Sequence, residues 1–218
     1  MTPPCLIIGL ARYAVDPDTL PEALAGLPGL LRARAPSVRQ PRRLAAYIAS
    51  RQLLLDTLRW LPSERQPADG ADHLLRRRGG LPFWSVSHTE GLVACAWSTA
   101  GPCGVDIESA HRAVDADRVI RRYFSRQEQA WLGALPEEER QTRFLDLWTR
   151  KEAVIKALGI GIAGHLAAIT FGPDRLPPLT LPAGMDSPVN LQTFRPPGGI
   201  LAAAWQGSSD VRLIRSGF

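Results

Sequence analysis

Cysteine is scarce in this chain of 218 residues, and so is lysine. The three cysteines, Cys5, Cys95 and Cys103, are odd in number and form no Cys-x-x-Cys pair. This pattern excludes a disulfide-rich scaffold and a structural zinc site built on paired cysteines. Because free cysteines are typical of a reducing compartment, we expect the protein in the cytoplasm.

Long apolar runs are also missing. No stretch approaches the roughly 20 apolar residues of a membrane span, and residues 1–4 do not begin a basic-then-apolar signal peptide. The composition, 45% hydrophobic and 22% charged, excludes a mainly disordered or collagen-like chain. We therefore expect a globular protein with a sizeable core and no membrane partner.

Acidic residues are outnumbered, since 26 Lys and Arg stand against 21 Asp and Glu. This balance favours acidic partners such as phosphorylated cofactors, nucleic acid or an acidic protein, although an Arg-rich composition bias produces the same charge. Only two of the basic residues are lysines, Lys151 and Lys156, and both fall in one helical segment. Because ammonium and guanidinium groups bind phosphate differently, this segment is a candidate anion site.

Two segments, residues 91–97 and 199–205, resemble each other and lie about half a chain length apart. Each predicts a buried strand ending in Trp, and each follows an amphipathic helix, over 41–61 or 141–158. The repeat predicts an α+β fold of two similar halves, residues 1–103 and 104–218, related by a pseudo-twofold axis. Each half would pack a long helix on a small antiparallel sheet. Chance similarity of Ala-rich strands is the alternative.

Asp106 and Glu108 are separated by one residue in a segment that predicts a strand over 104–107. In a strand these side chains share a face, and two carboxylates there repel unless a cation lies between them. Hard oxygen ligands suit Mg²⁺ better than Zn²⁺. Taken alone, such a pair is more often a solvated strand face.

Two further patterns could bind phosphate. Glu152 and Lys156 are one helical turn apart, with Trp148 a turn earlier, although a surface Glu–Lys pair has the same spacing. Ser87 and His88 lie where a strand is expected to turn, and their hydroxyl, imidazole and backbone N–H groups could hold phosphate oxygens. An ordinary polar turn is the alternative; a Ser–His nucleophile is not expected without a G-x-S-x-G elbow.

The order and spacing of these patterns resemble the 4′-phosphopantetheinyl transferase superfamily. That family shows Ser-His, then G-x-D-x-E, F-S-x-x-E and W-x-x-K-E-A-x-x-K, which stand here at residues 87–88, 104–108, 124–128 and 148–156. The two-half plan resembles the long, Sfp-type members and implies a pseudodimeric monomer. The resemblance implies a Mg²⁺-dependent enzyme of the holo-[acyl-carrier-protein] synthase type. It would move phosphopantetheine from coenzyme A to a serine of an apo acyl or peptidyl carrier protein and release 3′,5′-ADP.

The resemblance also assigns roles to residues. It implies that Asp106, Glu108 and Glu152 bind Mg²⁺, with Mn²⁺ as the alternative, in a site between the halves. The implied catalytic residues are Lys156, at the pyrophosphate, and Glu152, which could also accept the serine proton. Lys151 is a weaker candidate for the pyrophosphate.

Coenzyme A contacts follow from the same resemblance. Besides Lys156, it implies that Ser87 and His88 hold phosphate and that Arg51 holds the 3′-phosphate; Arg42 and Arg43 are weaker candidates. The chain departs from the family at Leu81, where a Lys is common, and the arginines at 76–78 could compensate.

Carrier proteins of this kind are acidic, and a basic patch around Phe124 is the expected docking surface, with a solvated helix face as the alternative. Its members are Arg118, Arg121, Arg122 and Arg126. No nucleic-acid partner is expected, because no run of aromatic residues interleaves with basic ones. Two rival functions use the same features: a Mg²⁺-dependent nuclease or phosphodiesterase, and a nonenzymatic binding protein.

Overall fold

The computed structural model describes residues 3–37, 39–67, 81–162, 164–173, 178–185 and 187–216. The chain divides into two compact units. The first contains the chain up to Pro102 together with the segment from Ser208 onward, and the second contains Cys103–Gly207. Within the described ranges, none of the helices combines the length and apolar character that a membrane crossing requires.

The first unit has a four-stranded sheet of order β2-β3-β1-β7, on which the long helix α3 packs, and α1 packs against α3. Strand β1 runs antiparallel to β3 and parallel to β7. Helix α3 covers β3 and β1, and its close approach is permitted by Gly9, where a Cβ would lie 2.6 Å from Thr57 Cγ2. The elements are β1 (Cys5–Arg12), α1 (Leu20–Ala25), α2 (Gly29–Ala33), α3 (Pro41–Leu58), β2 (Phe83–Thr89), β3 (Leu92–Ser98) and β7 (Asp210–Ser216).

The second unit packs a long helix, α6, across an antiparallel sheet of order β4-β6-β5. Helix α6 ends at Gly159, whose φ of 66° is the left-handed conformation that glycine adopts readily. The elements are β4 (Cys103–Ser109), α4 (Ala116–Tyr123), α5 (Arg126–Gly133), α6 (Glu137–Leu158), β5 (Val189–Phe194) and β6 (Gly199–Gln206). Apolar side chains from α6 and the sheet form the core of this unit.

The α+β class and both long helices are confirmed, although α6 begins several residues before the predicted start at 141. The two similar segments at 91–97 and 199–205 both fall on interior strands, β3 and β6. The first sheet, however, is mixed rather than antiparallel, because its edge strand β7 runs parallel to β1. That pairing also places β7 in the first unit, whereas the sequence assigned all of 104–218 to the second half.

The apolar run at 166–171 predicts a further strand, and this prediction is wrong. The structure has a 3₁₀ turn at Leu166–Ala168, followed by a single bridge between Thr170 and Thr180. The carbonyl oxygens of Leu166 and Ile169 accept hydrogen bonds from the Lys151 ammonium instead of from a neighbouring strand. The apolar run indicates that this segment is buried, but two of its backbone carbonyls accept hydrogen bonds from the buried Lys151 ammonium and not from a strand.

Candidate functional site

Strand β4 directs two carboxylates toward helix α6. Gly104, Asp106 and Glu108 alternate along β4 and so share one face, as the spacing predicts. A Cβ on Gly104 would lie 2.5 Å from Ala157 N of α6 and closer still to Ala153 O. The absence of a side chain at Gly104 therefore brings β4 into backbone contact with α6. Asp106 and Glu108 are both buried beside this contact, at 5% and 8% exposure.

Helix α6 contributes Glu152 and Lys156 from successive turns. Lys156 Nζ donates to Asp106 Oδ1 at 2.8 Å and to the Val105 carbonyl at 3.0 Å. Glu152 is buried at 8% exposure. The structure thus brings Lys156 to Asp106, fifty residues away in the chain.

Burial and mutual repulsion raise the pKa values of two carboxyls in this acidic cluster, which comprises Asp106, Glu108 and Glu152. The pKa of Glu108 is raised to about 7, mainly by desolvation and then by the charge of Asp106. The pKa of Glu152 is raised by the same two causes in the same order. The charges of Lys156 and Arg112 oppose both shifts. Because Asp106 repels both glutamates, the cluster is a place where added positive charge is stabilising.

Arg112, which follows β4, forms an ion pair with Glu108 and is a site residue that the sequence analysis missed. Its side chain is 40% exposed, whereas that of Glu108 is 11% exposed. Trp148 of α6 also forms a side-chain hydrogen bond with Glu108, which favours its ionised form. An arginine four residues after Glu108 was the available signal for this contact.

The donor chemistry of the acidic cluster suits a hard divalent cation. Within the described part of the chain, no group of three or more His, Cys, Asp or Glu side chains stands ready to hold a metal ion. Mg²⁺ does not need one, since it is usually bound by one or two carboxylates, waters and substrate phosphates. Asp106, Glu108 and Glu152 are hard oxygen donors, so one or two of them could hold Mg²⁺ together with a phosphorylated substrate.

The Ser87–His88 pair lies within strand β2 and not in a turn. Ser87 is buried and His88 is exposed, because neighbouring strand residues point to opposite faces. His88 lines a cavity of about 260 Å³ in the first unit, together with Arg42 and Arg43. The two arginines that the sequence ranked lower thus lie beside a predicted phosphate ligand.

Arg51 is not among the described residues that line this cavity. Its guanidinium lies 4.8 Å from the ring centroid of Tyr47 and 5.4 Å from that of Trp84. Leu81 is 53% exposed, and the arginines at 76–78 lie outside the described residues. The 3′-phosphate role of Arg51 stays a prediction.

Lys151, the weaker candidate for the pyrophosphate, is fully buried and has another role. Its ammonium lies 2.7 Å from Glu128 Oε2 and donates to the carbonyls of Leu166 and Ile169. Burial lowers the pKa of this ammonium, and the Glu128 carboxylate opposes that shift. With these protein acceptors around it, Lys151 supports the fold beside the site and is not placed to meet a substrate.

The predicted docking patch lies where α4 meets α5. Arg118, Arg121, Arg122 and Arg126 are all exposed, whereas Phe124 between the helices is buried against Phe144 and Trp148. Arg121 also lines a cavity of about 220 Å³ with Asp117, Gln129 and Arg140. The patch is therefore a basic surface anchored on an aromatic core.

Comparison with known proteins identifies a family that the chain resembles. A family model described as the 4′-phosphopantetheinyl transferase superfamily matches residues 102–194, the segment that carries the acidic cluster. The chain is 33% identical over 149 residues to the 4′-phosphopantetheinyl transferase AcpT of Salmonella typhimurium, covering 66% of this chain and 71% of AcpT.

Two further proteins, from Synechocystis and Nostoc, are similar over shorter stretches. The Synechocystis protein slr0495 is 34% identical over 128 residues, 57% of this chain and 52% of that protein. The 4′-phosphopantetheinyl transferase HetI of Nostoc is 38% identical over 84 residues, 38% of this chain and 35% of HetI. The chain thus spans about half the length of the first and about a third of the second.

Proposed function

Because the chain belongs to the 4′-phosphopantetheinyl transferase superfamily, we propose that it moves phosphopantetheine from coenzyme A to a serine of an apo acyl or peptidyl carrier protein. The other product is 3′,5′-ADP. The observation that carries the proposal is the pairing of Lys156 with Asp106 at the contact of α6 with β4. Glu108 and Glu152 lie close enough for the charge of Asp106 to raise the pKa of each.

In the proposed reaction the carrier serine oxygen attacks the phosphorus that bears the pantetheine. The bond from that phosphorus to the ADP oxygen breaks as the new bond forms. Such phosphoryl transfer depends mainly on positioning and on neutralising charge. Lys156 would neutralise charge on the phosphate oxygens, and its place beside Asp106 supports that role.

Glu152 would accept the serine proton, directly or through water. A bound metal ion weakens a carboxylate as a base, so this role ranks below the role of Glu152 as a metal ligand. Asp106, Glu108 and Glu152 would together hold Mg²⁺, or Mn²⁺ as the alternative. When bound, the metal supplies Lewis-acid neutralisation of the diphosphate.

Ser87, His88 and Arg51 are the proposed contacts for coenzyme A, with Lys156 at its pyrophosphate. The cavity that His88 shares with Arg42 and Arg43 supports a phosphate position on this part of β2, because residues of these types bind phosphate oxygens. On this view Arg42 and Arg43 join the coenzyme A site.

The proposed partners are acidic apo carrier proteins that dock on the Arg118, Arg121, Arg122 and Arg126 patch. All four side chains are exposed, which supports electrostatic steering of an acidic partner. We further propose that the protein is a monomeric enzyme of the long, Sfp-type subclass. Its two halves would be related by a pseudo-twofold axis. We also propose a cytoplasmic location, because the three free cysteines favour a reducing compartment.

Intact-mass analysis of an apo carrier tests this function. Incubation with coenzyme A, Mg²⁺ and the protein should add one phosphopantetheine to the carrier and release an equal amount of 3′,5′-ADP. A carrier whose acceptor serine is replaced by alanine should stay unmodified, and so should the normal carrier with the Asp106→Ala enzyme. Hydrolysis of coenzyme A or of a nucleic acid, with no change in carrier mass, would instead favour a hydrolase on the same carboxylates.

A further inference from the structure

Arg112 lies at the edge of the acidic cluster and touches one of its members. Its guanidinium forms an ion pair with Glu108, across four residues that belong to no helix. Its backbone is also held, because the Arg112 amide donates to Ser109 O at 3.1 Å and its carbonyl accepts from Gln141 Nε2 of α6 at 3.5 Å. The loop therefore keeps this guanidinium beside the cluster.

The positive charge of Arg112 reaches beyond Glu108. It also opposes the raised pKa of Glu152, as Lys156 does. Arg112 and Lys156 are thus two protein cations for three buried carboxyls, and the two differ in exposure. The Arg112 side chain is 40% exposed and that of Lys156 is 29% exposed. Arg112 can move into solvent more easily than Lys156, whose ammonium donates to two oxygens of β4.

We propose that Arg112 is a built-in counter-ion of the acidic cluster that competes with the divalent metal for Glu108. This inference rests on the proposed metal site. Without metal, the guanidinium compensates the Glu108 carboxylate. When a divalent cation binds the cluster, two cations at one carboxylate repel each other, so Arg112 must loosen its hold. The ion pair therefore weakens metal binding until substrate phosphates add their own ligands.

Titration with Mn²⁺, followed by the electron paramagnetic resonance of free Mn²⁺, tests the competition directly. Arg112→Gln removes the guanidinium, and we expect it to bind Mn²⁺ about threefold to tenfold more tightly than the unaltered chain without coenzyme A. Arg118→Gln removes an equal charge from the exposed face of α4 and should leave Mn²⁺ affinity within about twofold. Circular dichroism of each variant checks that the fold is kept.

A double-mutant cycle separates direct competition from a general effect of charge. In the Glu108→Gln background Arg112 has lost its ion-pair partner and acts only through its charge on Glu152, so adding Arg112→Gln should tighten Mn²⁺ binding less than it does in the unaltered chain. An equal gain in that background, or no gain in the single variant, would overturn the role of Arg112 while leaving the metal site standing. If the unaltered chain and Arg112→Gln both bind no Mn²⁺, with or without coenzyme A, the inference and the proposed metal site fall together.

Discussion

The ammonium of Lys151 lies 2.7 Å from a carboxylate oxygen of Glu128, and neither side chain is exposed to solvent. Glu128 also accepts hydrogen bonds from the amides of Ser125 and Phe171, so one carboxylate ties the start of α5 to a distant loop. This pair joins the F-S-x-x-E segment to the W-x-x-K-E-A segment. It holds the turn of α6 from which the neighbouring Glu152 extends.

Removing the Lys151 ammonium should destabilise the fold strongly. Lys151→Met leaves Glu128 as an uncompensated buried charge, which costs about 3–5 kcal/mol of unfolding free energy. Urea unfolding at neutral pH measures the loss. The matched double variant Lys151→Met/Glu128→Gln removes both charges and should recover part of it. A Lys151→Met protein as stable as the unaltered chain would contradict the structural role assigned here.

Adding a single methyl group at Gly104 should separate β4 from α6. The new Cβ would meet backbone atoms of Ala153 and Ala157, which cannot rotate away. We expect Gly104→Ala to lose about 1–3 kcal/mol of stability or more, and to lose activity because Asp106 shifts from Lys156. Thermal unfolding and the carrier-modification assay report the two effects.

Gly133 provides the control for that substitution. It is the last residue of α5, and a Cβ there would meet nothing within 4 Å. Gly133→Ala should therefore keep activity and gain up to about 1 kcal/mol, since alanine is the better helix former. Equal losses in Gly104→Ala and Gly133→Ala would show that the tight β4–α6 contact is not the cause.

Lys156→Met should damage the reaction more than the fold. Methionine keeps the apolar stem but removes the charge proposed to offset the phosphate oxygens, so kcat/KM should fall about 100-fold to 1000-fold. Steady-state assays with coenzyme A and an apo carrier measure the change. Lys156→Arg keeps a positive charge with a different geometry, so its kcat/KM should lie between the values of the unaltered enzyme and of Lys156→Met. A kcat/KM close to normal in Lys156→Met would remove Lys156 from the mechanism.

The metal-free protein should lose stability as the pH rises toward neutrality. The pKa of Glu108 is about 7 in the fold and 4.5 as an ordinary carboxyl, so between these values the folded chain binds more protons than the unfolded chain. The contribution of Glu108 to the free energy of unfolding is fully present below about pH 4.5 and is lost as the pH rises through about 7. The raised pKa of Glu152 acts in the same direction.

Urea unfolding in a metal chelator measures this dependence. Between about pH 5 and about pH 7.5 we expect the stability to fall by about 1–3 kcal/mol, and the fall should be smaller in Glu108→Gln, which cannot ionise. Added Mg²⁺ should restore stability at the higher pH. A stability that rises with pH across this window in both proteins would contradict the raised pKa of Glu108.

Arg51→Ala should affect one phosphate of coenzyme A. If Arg51 holds the 3′-phosphate, the KM for coenzyme A should rise about tenfold, whereas the KM for 3′-dephospho-coenzyme A should change little. Arg42→Ala and Arg43→Ala are the comparison, since those side chains line the cavity with His88. Suppose that Arg42→Ala and Arg43→Ala, but not Arg51→Ala, raise the KM for coenzyme A while leaving the KM for 3′-dephospho-coenzyme A unchanged. The 3′-phosphate would then be assigned to the cavity instead.

Short-range pattern predicted much of the second unit. The one-residue spacing of Asp106 and Glu108 predicted that they share a face, and the four-residue spacing of Glu152 and Lys156 predicted that they lie one turn apart. The S-x-x-E spacing of Ser125 and Glu128 predicts a helix capping box, and both of its hydrogen bonds form at the start of α5. These features depend on backbone geometry within a few residues, which the sequence states directly.

Contacts between residues far apart in the chain were harder to predict from the sequence. The parallel pairing of β7 with β1 joins the two ends of the chain, and no local pattern in residues 210–216 specifies that partner. The apolar run at 166–171 indicates burial, but it does not show that its carbonyls accept from a lysine fifteen residues earlier.

The sequence by itself determined which residue types stand on which face of β4 and α6, because strand and helix periodicities fix side-chain direction locally. Only the tertiary structure decided which charge compensates which. Lys156 forms an ion pair with Asp106, Lys151 forms a buried ion pair with Glu128, and Arg112 forms an ion pair with Glu108. Ion pairs of this kind follow from which elements pack together and how much water they exclude, and both are properties of the assembled fold.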